Sequence, residues 1–221
     1  MIKLIIFDAG GVLYTGSMKI VDEAVRKFLE KHGIHDFNKS DKIWSKNEKL
    51  ASIGKISARK AHERWLEGLG LSRDLVNEWT EIDKKEIWGK FRRTRGINKL
   101  LQKLKKEYIL VVLSDSIDSK QEKIEKMQML GIIHKIFDEI YTSHDLGTYK
   151  PSKKAFHTVL KKLKVKPKEA VFISDSCDEL KGAKKIGLLT IGLNCDGGDH
   201  NIRRVGEILK TLQNLNQPSQ N

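Results

Sequence analysis

Long hydrophobic runs are missing from this 221-residue chain, and no stretch has the length and apolar content of a transmembrane span. The N-terminal apolar run is short and broken by Asp8, so it does not read as a signal peptide. Cysteine is nearly absent. The two present, Cys177 and Cys195, lack metal-ligand spacing and are too few for a secreted disulfide framework, which points to a reducing cytoplasm. Acidic residues are in deficit, 29 against 42 Lys and Arg, for a formal net charge of +13. The lysines are spread over nearly every helical segment, as in KKLKVKPKEA and LQKLKKEY, alternating with apolar positions. That pattern describes solvated helix faces and argues against a nucleic-acid groove, although the positive field would attract small anions such as phosphate esters. With 39% hydrophobic and 32% charged residues, the composition is that of a soluble globular protein with enough chain for one domain and an insertion, or for two small domains.

The stretch that organises the chain is MIKLIIFDAGGVLY. Leu4, Ile5, Ile6 and Phe7 read as a buried central strand of a parallel sheet, and Asp8 as a carboxylate delivered to its C-terminal edge. Open α/β sheets bind ligands at that edge, and a buried carboxylate is costly unless paired or used. Gly10 and Gly11 allow a tight turn in which backbone N–H groups approach an anion. The plainer alternative for such an acid is a helix cap.

Residues 16–92 then show helical periodicity and no convincing strand. Val21, Ala24, Val25, Phe28 and Leu29 form one apolar stripe; Ser57 opens a second helix and Ser72 a third. All four tryptophans, Trp44, Trp65, Trp79 and Trp88, lie here and read as the filling of a small helical bundle more than as a substrate platform. From about residue 96 helices and strands alternate. ILVVLSDS ends at Ser114-Asp115-Ser116, with Asp118 starting a helix. FDEIYT leads to a loop with Lys150-Pro151, AVFISDSCDE ends in acids, and LLTIGL precedes a helix read from Ile202 onward. This alternation predicts right-handed βαβ units and a doubly wound parallel sheet of α/β class, with an inserted all-helical unit. The expected division is 1–15 and 93–216 for the α/β core, 16–92 for the insertion, and 217–221 for a disordered tail.

In a parallel sheet Asp8, Ser114 with Asp115, the Lys150 loop and Asp175 all reach one edge. Two carboxylates, a hydroxyl and an ammonium suit a phosphoryl group with a divalent cation, and oxygen-only ligands favour Mg²⁺ over zinc. Each residue also has an ordinary reading: Ser114 and Ser176 as helix caps, Lys150 as a loop lysine, and His144 as a loop residue rather than a proton donor. His32, His35 and His62 fall in the insertion.

These segments, in this order, resemble the haloacid dehalogenase-like hydrolase superfamily over essentially the whole chain. FDAGGVL is similar to the first motif, VVLSDS to the second, the Lys150-Pro151 loop to the third and FISDSCDELKGAKKIG to the fourth. GKISARKAHERWLEGLGL resembles part of the helical cap that many members carry between the first two motifs. The resemblance implies that Asp8 attacks phosphorus and forms an aspartyl-phosphate. It implies Mg²⁺ held by Asp8, the Gly10 carbonyl and Asp175. Ser114 and Lys150 would be catalytic and, with Asp115, would contact the substrate, Lys150 also pairing with Asp8. Glu179, or the adjacent Asp178, would orient Lys150 or hold metal-bound water, Glu179 being preferred.

One position departs from the pattern. Phosphatases of this family usually carry a second aspartate two residues after the nucleophile as general acid and base, and here that position is Gly10. Such assistance is worth ~10² to 10⁴ in rate. The first expectation is therefore a Mg²⁺-dependent phosphatase of a small anionic metabolite with a good leaving group, such as an anomeric, acyl or aryl phosphate. The second is a weakened binding or regulatory module, and the third a 2-haloacid dehalogenase, against which Asp115 would repel a carboxylate substrate. A cytoplasmic enzyme with no membrane partner is expected, and nothing specifies oligomeric state.

Overall fold

A computed structural model describes residues 1–216; the tail expected to be disordered, 217–221, lies outside the described residues. Leu4–Phe7 form β1, with no solvent exposure at any of the four positions. A two-residue strand β2 (Tyr14–Thr15) leads into α1 (Met18–Lys31), α2 (Phe37–Ala51), α3 (Ala58–Gly68) and α4 (Val76–Ile82). The last continues through a π-helical turn, Asp83–Trp88. Then β3 (Arg92–Arg93) returns antiparallel to β2, a two-strand ribbon where the chain leaves and re-enters the sheet layer. This ribbon is too short to register in sequence periodicity.

The remaining chain alternates: α5 (Ile97–Leu104), β4 (Ile109–Ser114), α6 (Lys120–Met129), β5 (Glu139–Thr142), the short α7 (Ser143–Leu146), α8 (Lys153–Leu163), β6 (Ala170–Ser174), α9 (Cys177–Lys184), β7 (Leu189–Leu193), β8 (His200–Ile202) and α10 (Ile208–Asn216). The sheet has six strands, all parallel, in the order β5-β4-β1-β6-β7-β8. Strand alternation divides the core over its two faces. Ile5, Phe7, Val112 and Ile173 pack on one side, and Leu4, Ile6, Val111 and Phe172 on the other.

Serine caps set many helix starts: Ser17, Ser57, Ser119, Ser152 and Ser176 each accept a backbone N–H of the first turn. Two starts differ from expectation. The helix after β4 begins at Lys120, not Asp118, because Ser119 takes the capping role with Glu122 while Asp118 is drawn into an ion cluster. Ile202 belongs to an edge strand, held by Asn194 N–H donating to its carbonyl, and the terminal helix begins only at Ile208.

The two cysteines are bonded to each other, which corrects the picture of a reduced chain. Adjacent parallel strands β6 and β7 bring the start of α9 and the loop after β7 together, with Cα atoms 5.8 Å apart, inside the span that a disulfide bridges. Among the described residues no helix is long and apolar enough to cross a membrane.

Candidate active site

Register decides what meets at the sheet edge. Phe7 is level with Val112 of β4 and Ile173 of β6, so Asp8 stands beside the ends of both strands, its N–H donating to the Ile173 carbonyl at 2.9 Å. The order in which strands are added reverses at β1, with β4 and β5 on one side and β6 to β8 on the other. That is the switch point at which a crevice opens.

Asp8 accepts from the Lys150 ammonium at 2.6 Å and from the Ala9 N–H at 2.8 Å. Lys150 also meets Glu179 at 3.1 Å, and its own N–H donates to Asp115 at 3.1 Å. Ser174, at the end of β6, donates to Glu179 at 2.9 Å and lies 3.4 Å from the second Asp8 oxygen. It was not singled out as a site residue. Its signal is a serine at a strand end one residue before Asp175. Asp8, Ser114 and Lys150 are all buried. Asp178, by contrast, points outward and pairs with Lys181, which leaves Glu179 as the acid on Lys150. Ser176 caps α9, its ordinary reading, whereas among the described residues Ser114 caps no helix and its hydroxyl donates to the Asp115 carbonyl, at 3.5 Å.

The cluster is short of positive charge. Burial pulls the Lys150 ammonium toward neutrality, but the carboxylates of Asp8, Glu179 and Asp115 outweigh it and hold the proton more firmly than in a free lysine. Burial raises Glu179 to about 7, with the Asp8 charge adding to it. Burial and Asp8 likewise push Asp175 up, and burial raises Asp115. One ammonium thus faces four carboxylates.

A divalent cation fits this arrangement. Gly11 has φ +70°, and a β-carbon built on it would fall on the Asp175 carboxylate, so only glycine lets the motif-one turn approach Asp175. The Asp8 charge acts on the Asp175 carboxylate, so two oxygen donors share one field. Among the described residues no cluster of three or more His, Cys, Asp or Glu side chains stands ready to hold a metal by itself. At Gly10 a β-carbon would meet nothing within 4 Å. The second aspartate is missing, although its β-carbon would be accommodated.

Next to the edge, between the helices of residues 16–92 and the sheet layer, lies a cavity of about 1060 Å³. Its lining includes Asp115, Ser116 and Tyr149, chain neighbours of Ser114 and Lys150. All four tryptophans reach it, so besides filling the helical layer they form a wall. Of the histidines in that segment, His62 lines the cavity, His35 is exposed, and His32 pairs with Glu78. His144 binds the Ala51 carbonyl at 2.8 Å and joins the two layers.

The chain matches the family model "haloacid dehalogenase-like hydrolase" over residues 2–187. A glyceraldehyde 3-phosphate phosphatase of Methanocaldococcus jannaschii is 31% identical over 116 residues, 48% of this chain and 50% of that protein; the chain thus spans about half the length of this relative. In fold it is similar to a 2-haloacid dehalogenase from Pseudomonas syringae, with a TM-score of 0.77 at 21% identity over 97% of this chain and 100% of the other. It is also similar to a HAD family enzyme from Bacteroides thetaiotaomicron crystallised with magnesium and inorganic phosphate. There the TM-score is 0.70 at 20% identity, covering 89% and 96% of the two chains. A strand-end aspartate paired with a loop lysine, four motif segments meeting at one sheet edge, and a model match over most of the length have one common explanation: the chain belongs to the haloacid dehalogenase-like hydrolases.

Proposed function

We propose that the protein is a magnesium-dependent phosphatase of small phosphate monoesters, with residues 16–92 acting as its cap. The observation that carries this reading is the Asp8 carboxylate at the switch point, 2.6 Å from a buried Lys150 and within a cluster whose carboxyl groups outnumber its one ammonium. An Asp8 oxygen attacks phosphorus, the ester P–O bond breaks, and the leaving oxygen departs with the bonding pair as alkoxide or phenolate and takes its proton from solvent. Water then attacks the aspartyl-phosphate, releasing phosphate and restoring the carboxylate. Lys150 and the Ser114 hydroxyl face charge gathering on the phosphoryl oxygens, Glu179 and Ser174 hold Lys150 and Asp8 in place, and Asp115 braces the Lys150 backbone. Asp8, the Gly10 carbonyl and Asp175 would hold Mg²⁺, which when bound neutralises phosphate charge and aligns it with Asp8.

With Gly10 in the acid position, leaving groups that need little protonation are favoured. The test is hydrolysis of an aryl, an anomeric sugar and a simple alkyl phosphate, with and without Mg²⁺, by wild type, Asp8→Asn and Gly10→Asp. Expected are metal-dependent turnover of the first two, loss with Asp8→Asn, and at least tenfold gain on the alkyl ester with Gly10→Asp, which the open space there admits. Halide release from a 2-haloacid, or no turnover of any ester, would replace this reading with the dehalogenase or the binding module.

A further inference from the structure

Three features of the cavity under residues 16–92 bear on what occupies it. The first is its surface. Trp44, Trp65, Trp79, Trp88, Tyr14 and Phe91 line it, packed on one another at centroid distances of 5.2 to 6.3 Å. Planar faces also continue into polar positions, since His62 stacks on Trp44 at 4.8 Å with 17° between the rings. Burial and the nearby Lys126 charge hold His62 down to about 4, so it is neutral at physiological pH. A wall of this kind favours flat apolar ligands.

The second is how its charges are spent. Asp118 is held by Lys126 at 2.7 Å and by Lys123 at 3.4 Å, and Asp83 stands 3.7 Å from Lys126. Both ammonium groups also lie over the Trp88 face. These two cations are matched by carboxylates, while Arg26, which lies over the Phe37 ring, and Lys49 also line the cavity. The third is a vacancy in the hydrogen bonding: Trp79 is 5% exposed and its Nε1–H has no partner, whereas the adjacent Trp65 Nε1–H donates to Ser40 at 2.9 Å. A buried indole N–H without an acceptor costs stability, and because its nitrogen has almost no accessible surface, a bound acceptor recovers that cost only as the ring shifts toward it.

The cavity's neighbours Asp115 and Tyr149 place its inner end beside the phosphoryl site, so it would hold what the phosphate is attached to. We infer that the substrate is an aryl phosphate: its phenolic ring system, of two or more fused rings, lies against the tryptophans, and an oxygen acceptor on the ring takes the Trp79 Nε1–H. This rests on the phosphatase reading and narrows it. An independent feature converges on it, since a phenolate leaves without the proton that Gly10 cannot supply.

The probes are 4-methylumbelliferyl phosphate, which carries a ring carbonyl, 1-naphthyl phosphate, which does not, farnesyl phosphate and glycerol 3-phosphate. Kinetics use the wild-type full chain, and calorimetric titration of the dephosphorylated 4-methylumbelliferone and 1-naphthol uses Asp8→Asn. Expected is a KM at least about 30-fold lower for the two aryl esters than for glycerol 3-phosphate, from the apolar area removed from water. Trp79→Phe should weaken 4-methylumbelliferone about three- to tenfold and leave 1-naphthol within about twofold, the second probe controlling for packing damage. Equal KM values across the panel, a lower KM for farnesyl phosphate than for either aryl ester, or equal loss of both alcohols in Trp79→Phe would overturn the aryl assignment while the phosphatase reading stands. If no ester is cleaved yet 4-methylumbelliferone binds and Trp79→Phe weakens it, the phosphatase reading falls and the cavity's preference for aromatic ligands stands.

Discussion

Two buried lysines, Lys150 at the sheet edge and Lys123 on the cavity wall, are surrounded differently. Lys150 is one ammonium against the carboxylates of Asp8, Glu179, Asp115 and Asp175. Lys123 shares its region with a second cation, and the pair of lysines meets a pair of aspartates, with the Tyr14 hydroxyl 3.4 Å away. Burial works against the Asp118 carboxylate, yet Lys126 and Lys123 outweigh it and hold the group well below its ordinary value. A buried cluster that balances its charge is finished as folded and behaves as wall. One left negative has room for a cation and for a phosphoryl group that arrives with it. Both lysines are buried charge partners, and only the balance distinguishes their work.

Substitution should separate the two sharply. Lys150→Met, like Asp8→Asn, is expected to lower kcat for an aryl phosphate by about 10³-fold or more, because it removes charge facing the transferring group. Lys123→Met should change kcat less than about threefold and instead cost about 2 to 3 kcal/mol of stability, since Lys126 still holds Asp118. Steady-state kinetics beside urea unfolding decides the matter, and the same kcat loss in both variants would erase the distinction. Metal dependence sharpens it further. Mg²⁺ at 100 times its Kd should raise the stability of wild type and of Lys123→Met by about 2.7 kcal/mol, and that of Asp175→Asn by far less.

The imbalanced end was largely legible in the sequence because each contributing residue ends a short apolar run or follows one. Asp8, Ser114 and Asp175 are read from strand ends, and a parallel sheet carries strand ends to one edge whatever the loop lengths. Ser174 was missed because a serine at a strand end is most often a cap. Only register places it between Asp8 and Glu179. The balanced end was not legible. Asp118, Lys123 and Lys126 are spaced as on any solvated helix, and what buries them is a layer joined through tertiary contact with Tyr14 and Trp88. The tryptophans were visible as apolar, but periodicity does not say whether a ring fills a core or faces a cavity. The cysteine pair likewise depended on the neighbouring of β6 and β7, which spacing in the chain does not carry.

That disulfide supports the negative end, joining the start of α9, which carries Glu179, to the loop after β7. With its cysteines 18 positions apart, its loss in Cys177→Ser should cost about 3 kcal/mol. A reductant should lower the thermal midpoint of wild type and leave that of the variant unchanged. An unchanged wild type would show that the bond contributes little.

The smallest expected effect lies at the cavity end. His62 has a folded-state pKa of about 4 against an ordinary 6.5, because burial and the Lys126 charge oppose its protonation while Asp118 favours it. Between these values the unfolded chain binds the proton and the folded one does not, so stability falls as pH is lowered through this window. From about pH 6.5 to pH 5 the His62 contribution amounts to roughly 1.5 kcal/mol. His62→Phe keeps a ring against Trp44 and removes the titration, so urea midpoints measured across that range should lose this part of their slope. If the slope is the same in the variant, His62 takes up its proton in the folded state, and the cavity wall is more polar than its aromatic lining implies.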